Sequence, residues 1–215
     1  MRLIILIIFT AFIHSAFAQG DRNPDPEAEE ILRNLAAKID AYDNVTYDFT
    51  LTVEYPETKP EMQEGSFVQA GNKYRLTLPE FIIVTDGISQ WVVDKGAQEV
   101  QVLDYESPDP NDITTPQGLL TIYQNPNFDY ILSGESGQTQ QIEFKPLDRN
   151  SEYSKARISV DKSRDALKMI EVFNKDGSRY YLNILDFKHN AGTLPSFQVK
   201  KEDFSGYHFE DLRIN

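Results

Sequence analysis

Between Val45 and Tyr55 apolar and polar side chains alternate without a break. Val45, Tyr47, Phe49, Leu51, Val53 and Tyr55 are separated by Thr46, Asp48, Thr50, Thr52 and Glu54. Successive side chains of a strand point to opposite faces, so this period of two predicts a long strand with one apolar face. Such a strand needs partners for its backbone and a cover for that face. The chain supplies the partners as two blocks of strand-like pattern. The first lies at roughly 63–70, 73–78, 81–85, 88–94 and 98–104, the second at roughly 129–133, 140–145, 155–161, 166–174, 179–188 and 196–201. Asp86-Gly87 and Asp176-Gly177 fall between apolar runs, and a glycine there reaches the positive φ of a tight hairpin turn at no steric cost.

The cover is predicted to be helical. Asp25 suits a helix cap, Pro26 the first helical position, and Glu27, Glu29 and Glu30 the positive helix start. Ala28, Ile31, Leu32, Leu35, Ile39 and Tyr42 recur at steps of three and four and form one stripe, so an amphipathic helix of about four turns is expected. Between the strand blocks, Thr115-Pro116 can start a short helix carrying Leu119, Leu120 and Ile122. No helix alternates with strands as a parallel sheet requires. The expected class is mainly β (α+β): a large curved antiparallel sheet with helices on one face.

The N-terminus reads as an address. Arg2 precedes an apolar run from Leu3 to Ile13, and Ala16-Phe17-Ala18 is a small-x-small cleavage site, the pattern of a secretory signal peptide. Residues 1–18 are expected to be the leader, 19–24 a linker and 25–215 a single domain. The apolar run is shorter than the roughly 20 residues of a membrane-spanning helix. The chain has no cysteine, so neither disulfides nor thiolate chemistry is available. It carries 21 Lys and Arg against 34 Asp and Glu, a formal net charge of −13. Losing the leader, whose only charge is Arg2, makes that one unit more negative. An acidic surface of this kind disfavours nucleic acid and permanent attachment to anionic headgroups.

Catalytic patterns are thin. Outside the leader only His189 and His208 remain, in no ligand-spaced cluster, and no nucleophile elbow, P-loop, dinucleotide fingerprint or HExxH occurs. Asp104, Glu106, Asp109 and Asp112 lack the turning glycine and closing glutamate of a calcium loop. No metal or cofactor is expected. What the chain does offer is 11 Tyr, 13 Phe and one Trp, many at alternating positions. That pattern fits an ordinary β core or the lining of an apolar ligand cavity, and periodicity alone does not choose.

Four stretches occur in a telling order. Ala28 to Ala36 continues through Tyr42 into Tyr47-Asp48-Phe49-Thr50-Leu51. Gly65-Ser66-Phe67-Val68 leads to Asn72-Lys73-Tyr74-Arg75-Leu76. Thr85-Asp86-Gly87-Ile88-Ser89-Gln90-Trp91-Val92-Val93-Asp94 is followed by Val100 and Val102. Phe204 to Arg213 includes Gly206-Tyr207 and Asp211-Leu212-Arg213. In this order and spacing the chain resembles the outer-membrane lipoprotein carrier (LolA-like) family. The resemblance implies an incomplete, strongly curved antiparallel β-barrel covered by a long N-terminal helix and a short lid helix, with acyl chains held between. Carried over position by position, it implies an acyl-binding set of Ile31, Leu32, Leu35, Ile39, Tyr47, Phe49, Leu51, Tyr74, Leu76, Trp91, Leu119, Leu120 and Ile122. It departs from the family at Ala70, where many relatives have an arginine that ties the lid shut; a methyl group cannot donate that hydrogen bond.

The role so implied is that of a non-enzymatic, monomeric periplasmic carrier, touching membranes at most transiently. It would take lipidated proteins from an inner-membrane lipoprotein-releasing transporter to an outer-membrane acceptor. A lipid-sensing regulatory protein on the same fold, or an exported hydrolase, are the alternatives.

Overall fold

The computed structural model describes residues 25–106 and 125–214. The expected leader (1–18) and linker (19–24), Asp109, Asp112 and the expected lid segment with Leu119, Leu120 and Ile122 lie outside the described residues.

Helix α1 spans Pro26–Asp40 and starts as its sequence dictates. Asp25 is extended at φ −69°, ψ 122°, and its Oδ1 accepts a 2.9 Å hydrogen bond from the Glu27 amide. Ala28, Leu32 and Leu35 are its buried residues, the centre of the stripe seen in the sequence.

The alternating segment becomes strand β1, Val45–Glu54. A first meander follows: β2 Glu61–Ala70, β3 Lys73–Thr77, β4 Phe81–Thr85, β5 Ser89–Asp94 and β6 Glu99–Asp104. A second holds β7 Phe128–Ser136, β8 Thr139–Pro146, β9 Tyr153–Asp161, β10 Ala166–Asn174 and β11 Arg179–His189, and β12 His208–Asp211 ends the series. The two turn glycines behave as predicted, Gly87 and Gly177 both having φ of +89°.

All twelve strands belong to one open, curved sheet in the order β12-β6-β5-β4-β3-β2-β1-β11-β10-β9-β8-β7. The two meanders are joined by the antiparallel pairing of β1 with β11, which runs from Val45 opposite His189 to Glu54 opposite Arg179. Register shifts at Asp48/Phe49, Leu132/Gly134 and Leu167/Met169 interrupt the ladders; an extra residue at such places bends the strand and increases its twist.

Two expectations need correction. The sheet is not wholly antiparallel, since β12 runs parallel to β6, with His208 opposite Glu99 and Asp211 opposite Val102. Residues 196–201 form no strand. Residues 196–200 cross the sheet's outer face as irregular chain, and a 3-10 turn at Lys201–Phe204 follows. Phe197 and Val199 pack down on that face. An extended segment laid over a surface shows the same period of two as a strand without joining a ladder.

The sheet has apolar packing on both sides, at different ends. On the inner face, α1 covers β7 to β11 and β1 through one continuous core. On the outer face at the far end, Ile82, Val84, Val93 and Val100 are covered by Phe197, Val199, Phe204, Tyr207 and Phe209. The outer face of β8 to β10 is polar. There Glu143 takes salt bridges from Lys155 at 2.9 Å and Arg157 at 3.0 Å. Burial pushes the Glu143 carboxyl up, but these two cations outweigh it and hold the group below its ordinary value.

Candidate functional site

Helix α1 is fastened to the sheet at both ends by polar contacts. At its start the Asp25 amide donates to the Tyr130 carbonyl at 3.0 Å, and Asp25 Oδ2 accepts from the Leu132 amide at 3.1 Å. These bonds fall on the free edge of β7 and satisfy backbone groups that an edge strand otherwise leaves open. Donation by the Leu132 and Glu27 amides holds the Asp25 carboxyl below its ordinary range. At the other end Lys38 Nζ donates to the Arg164 carbonyl in the β9–β10 turn.

Packing beneath the second half of the helix is incomplete. A small, about water-sized gap lies between Leu35, Ile39 and Tyr42 on one side and Tyr47, Ala166, Leu167 and Phe187 on the other. It adjoins, at Lys38, Tyr42, Ala166, Leu167 and Phe187, which line both spaces, a wider open groove of about 500 Å³. The groove adds Arg164, Lys168, Leu185, Asp186 and His189 to the walls. Tyr42 stacks on the His189 ring at 4.0 Å between centroids, and Phe187 packs on Tyr47 at 4.9 Å. The open groove alone is in the size range of small-molecule sites, while the inner gap is apolar but holds no more than about one water unless α1 moves.

On the other half of the inner face, Tyr74 lies against Phe67 and Tyr105. Its hydroxyl donates to Gln90 Oε1 at 2.8 Å. Burial, with a smaller contribution from Tyr105, pushes its pKa up to about 12, so the phenol stays neutral and serves as a hydrogen-bonded wall. Among the described residues no group of three His, Asp or Glu is placed to hold a metal ion.

Of the residues singled out in the sequence, Leu32, Leu35, Tyr47, Phe49, Leu51, Tyr74 and Leu76 share the inner core, and Ile31 and Ile39 pack against it. Trp91 stands apart. It belongs to the outer cluster, with Ile82, Val84 and Val93, on the side of the sheet away from α1. Ala70 ends β2 opposite Lys73, and strand alternation puts it on the outer side with Val68. Its neighbour Gln69 shares the inner side with Phe67 and Tyr74. Sequence reasoning passed over Ala166, Leu167 and Phe187, which form the sheet wall of the void. Leu167 and Phe187 sit just beyond register shifts, where the period of two that would reveal their side is broken.

Among the described residues the architecture is that of an open, curved sheet whose apolar inner face is roofed by one helix. Within that class the chain belongs to the outer membrane lipoprotein carrier protein LolA family, whose pattern matches residues 41–199. No curated protein sequence matches it. Among solved structures, an uncharacterized conserved protein from Thermus thermophilus shares the fold at a TM-score of 0.52 and 10% identity, covering 87% of this chain and 99% of that one. LprF from Mycobacterium bovis superposes with a TM-score of 0.47 at 12% identity over 80% of this chain and 98% of that one. A LolA superfamily protein from Nitrosomonas europaea gives 0.40 at 15% identity over 83% and 97%.

Proposed function

We propose that this chain is a periplasmic carrier that shields the acyl chains of lipidated proteins between α1 and the inner face of its sheet, and escorts them from the inner to the outer membrane. The observation that carries this reading is the apolar inner face of the sheet roofed by α1, whose packing under the second half of the helix is incomplete beside an open groove. Membership of a carrier family supports it. Each methylene left in water costs about 0.8 kcal/mol, so an acyl chain crossing an aqueous compartment needs an enclosure. A curved floor with a helical roof encloses by area instead of by directed bonds, which tolerates many cargoes. Release requires that the roof part from the floor at modest cost. The first turns of α1 are sealed by buried Ala28, Leu32 and Leu35, so parting would begin at the loosely packed second half of the helix.

The same reading includes export, with cleavage after Ala18, an inner-membrane donor and an outer-membrane acceptor. Among the described residues no helix is long and apolar enough to cross a membrane.

The test is to purify the mature chain from its source and identify co-eluting lipoproteins by mass spectrometry, with N-terminal sequencing alongside. Acylated proteins and a chain beginning at Gln19 are expected. A chain still beginning at Met1 in the membrane fraction, or a purified chain with neither acylated cargo nor affinity for a fluorescent acyl probe, would sink the carrier reading.

A further inference from the structure

The inner face of the first meander holds an amide whose hydrogen bonding is half finished. Tyr74 stands opposite Thr85 on β4, Thr85 opposite Gln90 on β5, and Gln90 opposite Leu103 on β6. Alternation puts these four on the side away from Trp91, in the row next to Leu76, Ile83 and Val92. Tyr105 packs on Tyr74 within the same face. Side chains do not fill this half of the sheet. Phe81 is 43% exposed, and an open groove of about 310 Å³ runs past Phe81, Val92 and Gln101.

Tyr74 is buried, and its hydroxyl donates to Gln90 Oε1 at 2.8 Å. Burial above all keeps the phenol protonated, so this donor persists through the neutral range. The bond occupies the carboxamide oxygen and leaves the NH2. A carboxamide nitrogen carries two donors, and among the described residues nothing accepts from Gln90 Nε2. The side chain is half-buried, and its nitrogen is not among the sealed polar atoms that lack a partner, which are Arg157 Nε and Asn174 Oδ1. Nε2 therefore opens on the inner space. A donor set among apolar side chains gains from an acceptor that a ligand brings and gains nothing comparable from a bare alkyl chain.

Ester and amide linkages carry such an acceptor at the root of every acyl chain, in the carbonyl oxygen. We propose that Gln90, held by Tyr74, is a polar anchor on the inner face that donates from Nε2 to the carbonyl of an ester- or amide-linked acyl group, whose chain lies along Leu76, Ile83 and Val92. This rests on the carrier reading and deepens it: the site prefers acyl groups, which bring a carbonyl, to alkyl chains, which bring none. Gln90 binds the ligand, and Tyr74 is a positioning residue that acts through it. The apolar floor supplies affinity by area, and the amide fixes where along the floor the linkage stops.

The experiment displaces a fluorescent acyl probe from the mature chain with two matched glycerides, ester-linked dioctanoylglycerol and ether-linked dioctylglycerol. The ether keeps both chains and lacks both carbonyls. The unaltered protein is expected to favour the ester about three- to tenfold, the range of one hydrogen bond between neutral partners. Gln90→Leu should bring the two affinities together by weakening the ester alone. Gln90→Glu should do the same, since a carboxylate accepts but does not donate. Tyr74→Phe, which removes one hydroxyl, should narrow the margin while affinity for the ether holds, a split that a merely structural role would not produce. Should Gln90→Leu fold poorly, the other two variants carry the assignment. Equal affinity for ester and ether in the unaltered protein would overturn the anchor while leaving the acyl carrier intact. An ester preference that survives in the folded Gln90 variants would overturn the role of Gln90. No binding of the probe or of either glyceride would overturn the carrier reading and this one together.

Discussion

Gly65 shows how much one missing side chain decides. It sits in β2 opposite Phe49, and the Phe49 ring lies across it, fully buried. A Cβ there would stand 2.6 Å from Phe49 Cζ and 2.8 Å from Leu78 Cδ2. Gly65→Ala is therefore expected to destabilise by about 1 to 3 kcal/mol, as overpacked cores do. Gly134→Ala, which meets nothing within 4 Å, should be close to neutral. Urea midpoints of the two variants check this, and equal midpoints would refute the ring-over-glycine account. The inner position of Phe49 was legible from strict alternation; the need for Gly65 was not, because a strand glycine signals a bulge or a close approach without saying which. Trp91 was illegible for another reason. Ile82-Ile83-Val84 and Trp91-Val92-Val93 are continuous apolar runs, and a strand covered on both sides gives no period by which to assign a face.

At the level of elements, α1 was readable almost to the residue because its signals agree: a capping acid, a proline at the first position and an apolar stripe. Its docking was not readable, since nothing in the sequence couples Asp25 to Leu132. That contact has a pH signature. The folded-state pKa of Asp25 is lowered from 3.8 by the amides it accepts from, so the carboxylate's contribution is present above the unfolded value and fades as pH falls through the lower folded value. Between neutrality and pH 5 the helix start should stay docked. On acidification below 3.8, amide exchange in α1 should accelerate before exchange in β1 and β10. Asp25→Ala should show that early loosening at neutral pH. If α1 and the central strands instead lose protection together in that variant, the tether does not govern the helix. The short β12 escaped the sequence for a related reason: His208-Phe209-Glu210-Asp211 has one apolar residue and pairs in parallel with a strand about a hundred residues earlier, where no local pattern can announce it.

For the whole molecule the decisive contact is β1 with β11, which pairs Val45 with His189 and Glu54 with Arg179 across most of the chain and joins two meanders into one floor wide enough to curve beneath a helix. Strand content and the roofing helix followed from local periodicity, but the void under α1 depends on how a roof of Leu35, Ile39 and Tyr42 meets a floor bent by bulges, and so on the assembled shape. A void of this kind is either a packing defect or a site, and the two respond differently to being filled. Ala166 borders both the void and the groove, and Ala166→Leu places three more carbons in that space. Filling a defect and filling a site should both leave the fold as stable or add about 1 kcal/mol, because cavity-filling changes commonly do. Only for a site should function suffer: affinity for a fluorescent acyl probe is expected to fall at least tenfold while the thermal midpoint holds or rises. Stability that grows at the expense of binding marks space kept open for a ligand. A variant that gains stability and binds the probe as before would show that the chain lodges elsewhere on the inner face, and would return the void to ordinary imperfect packing.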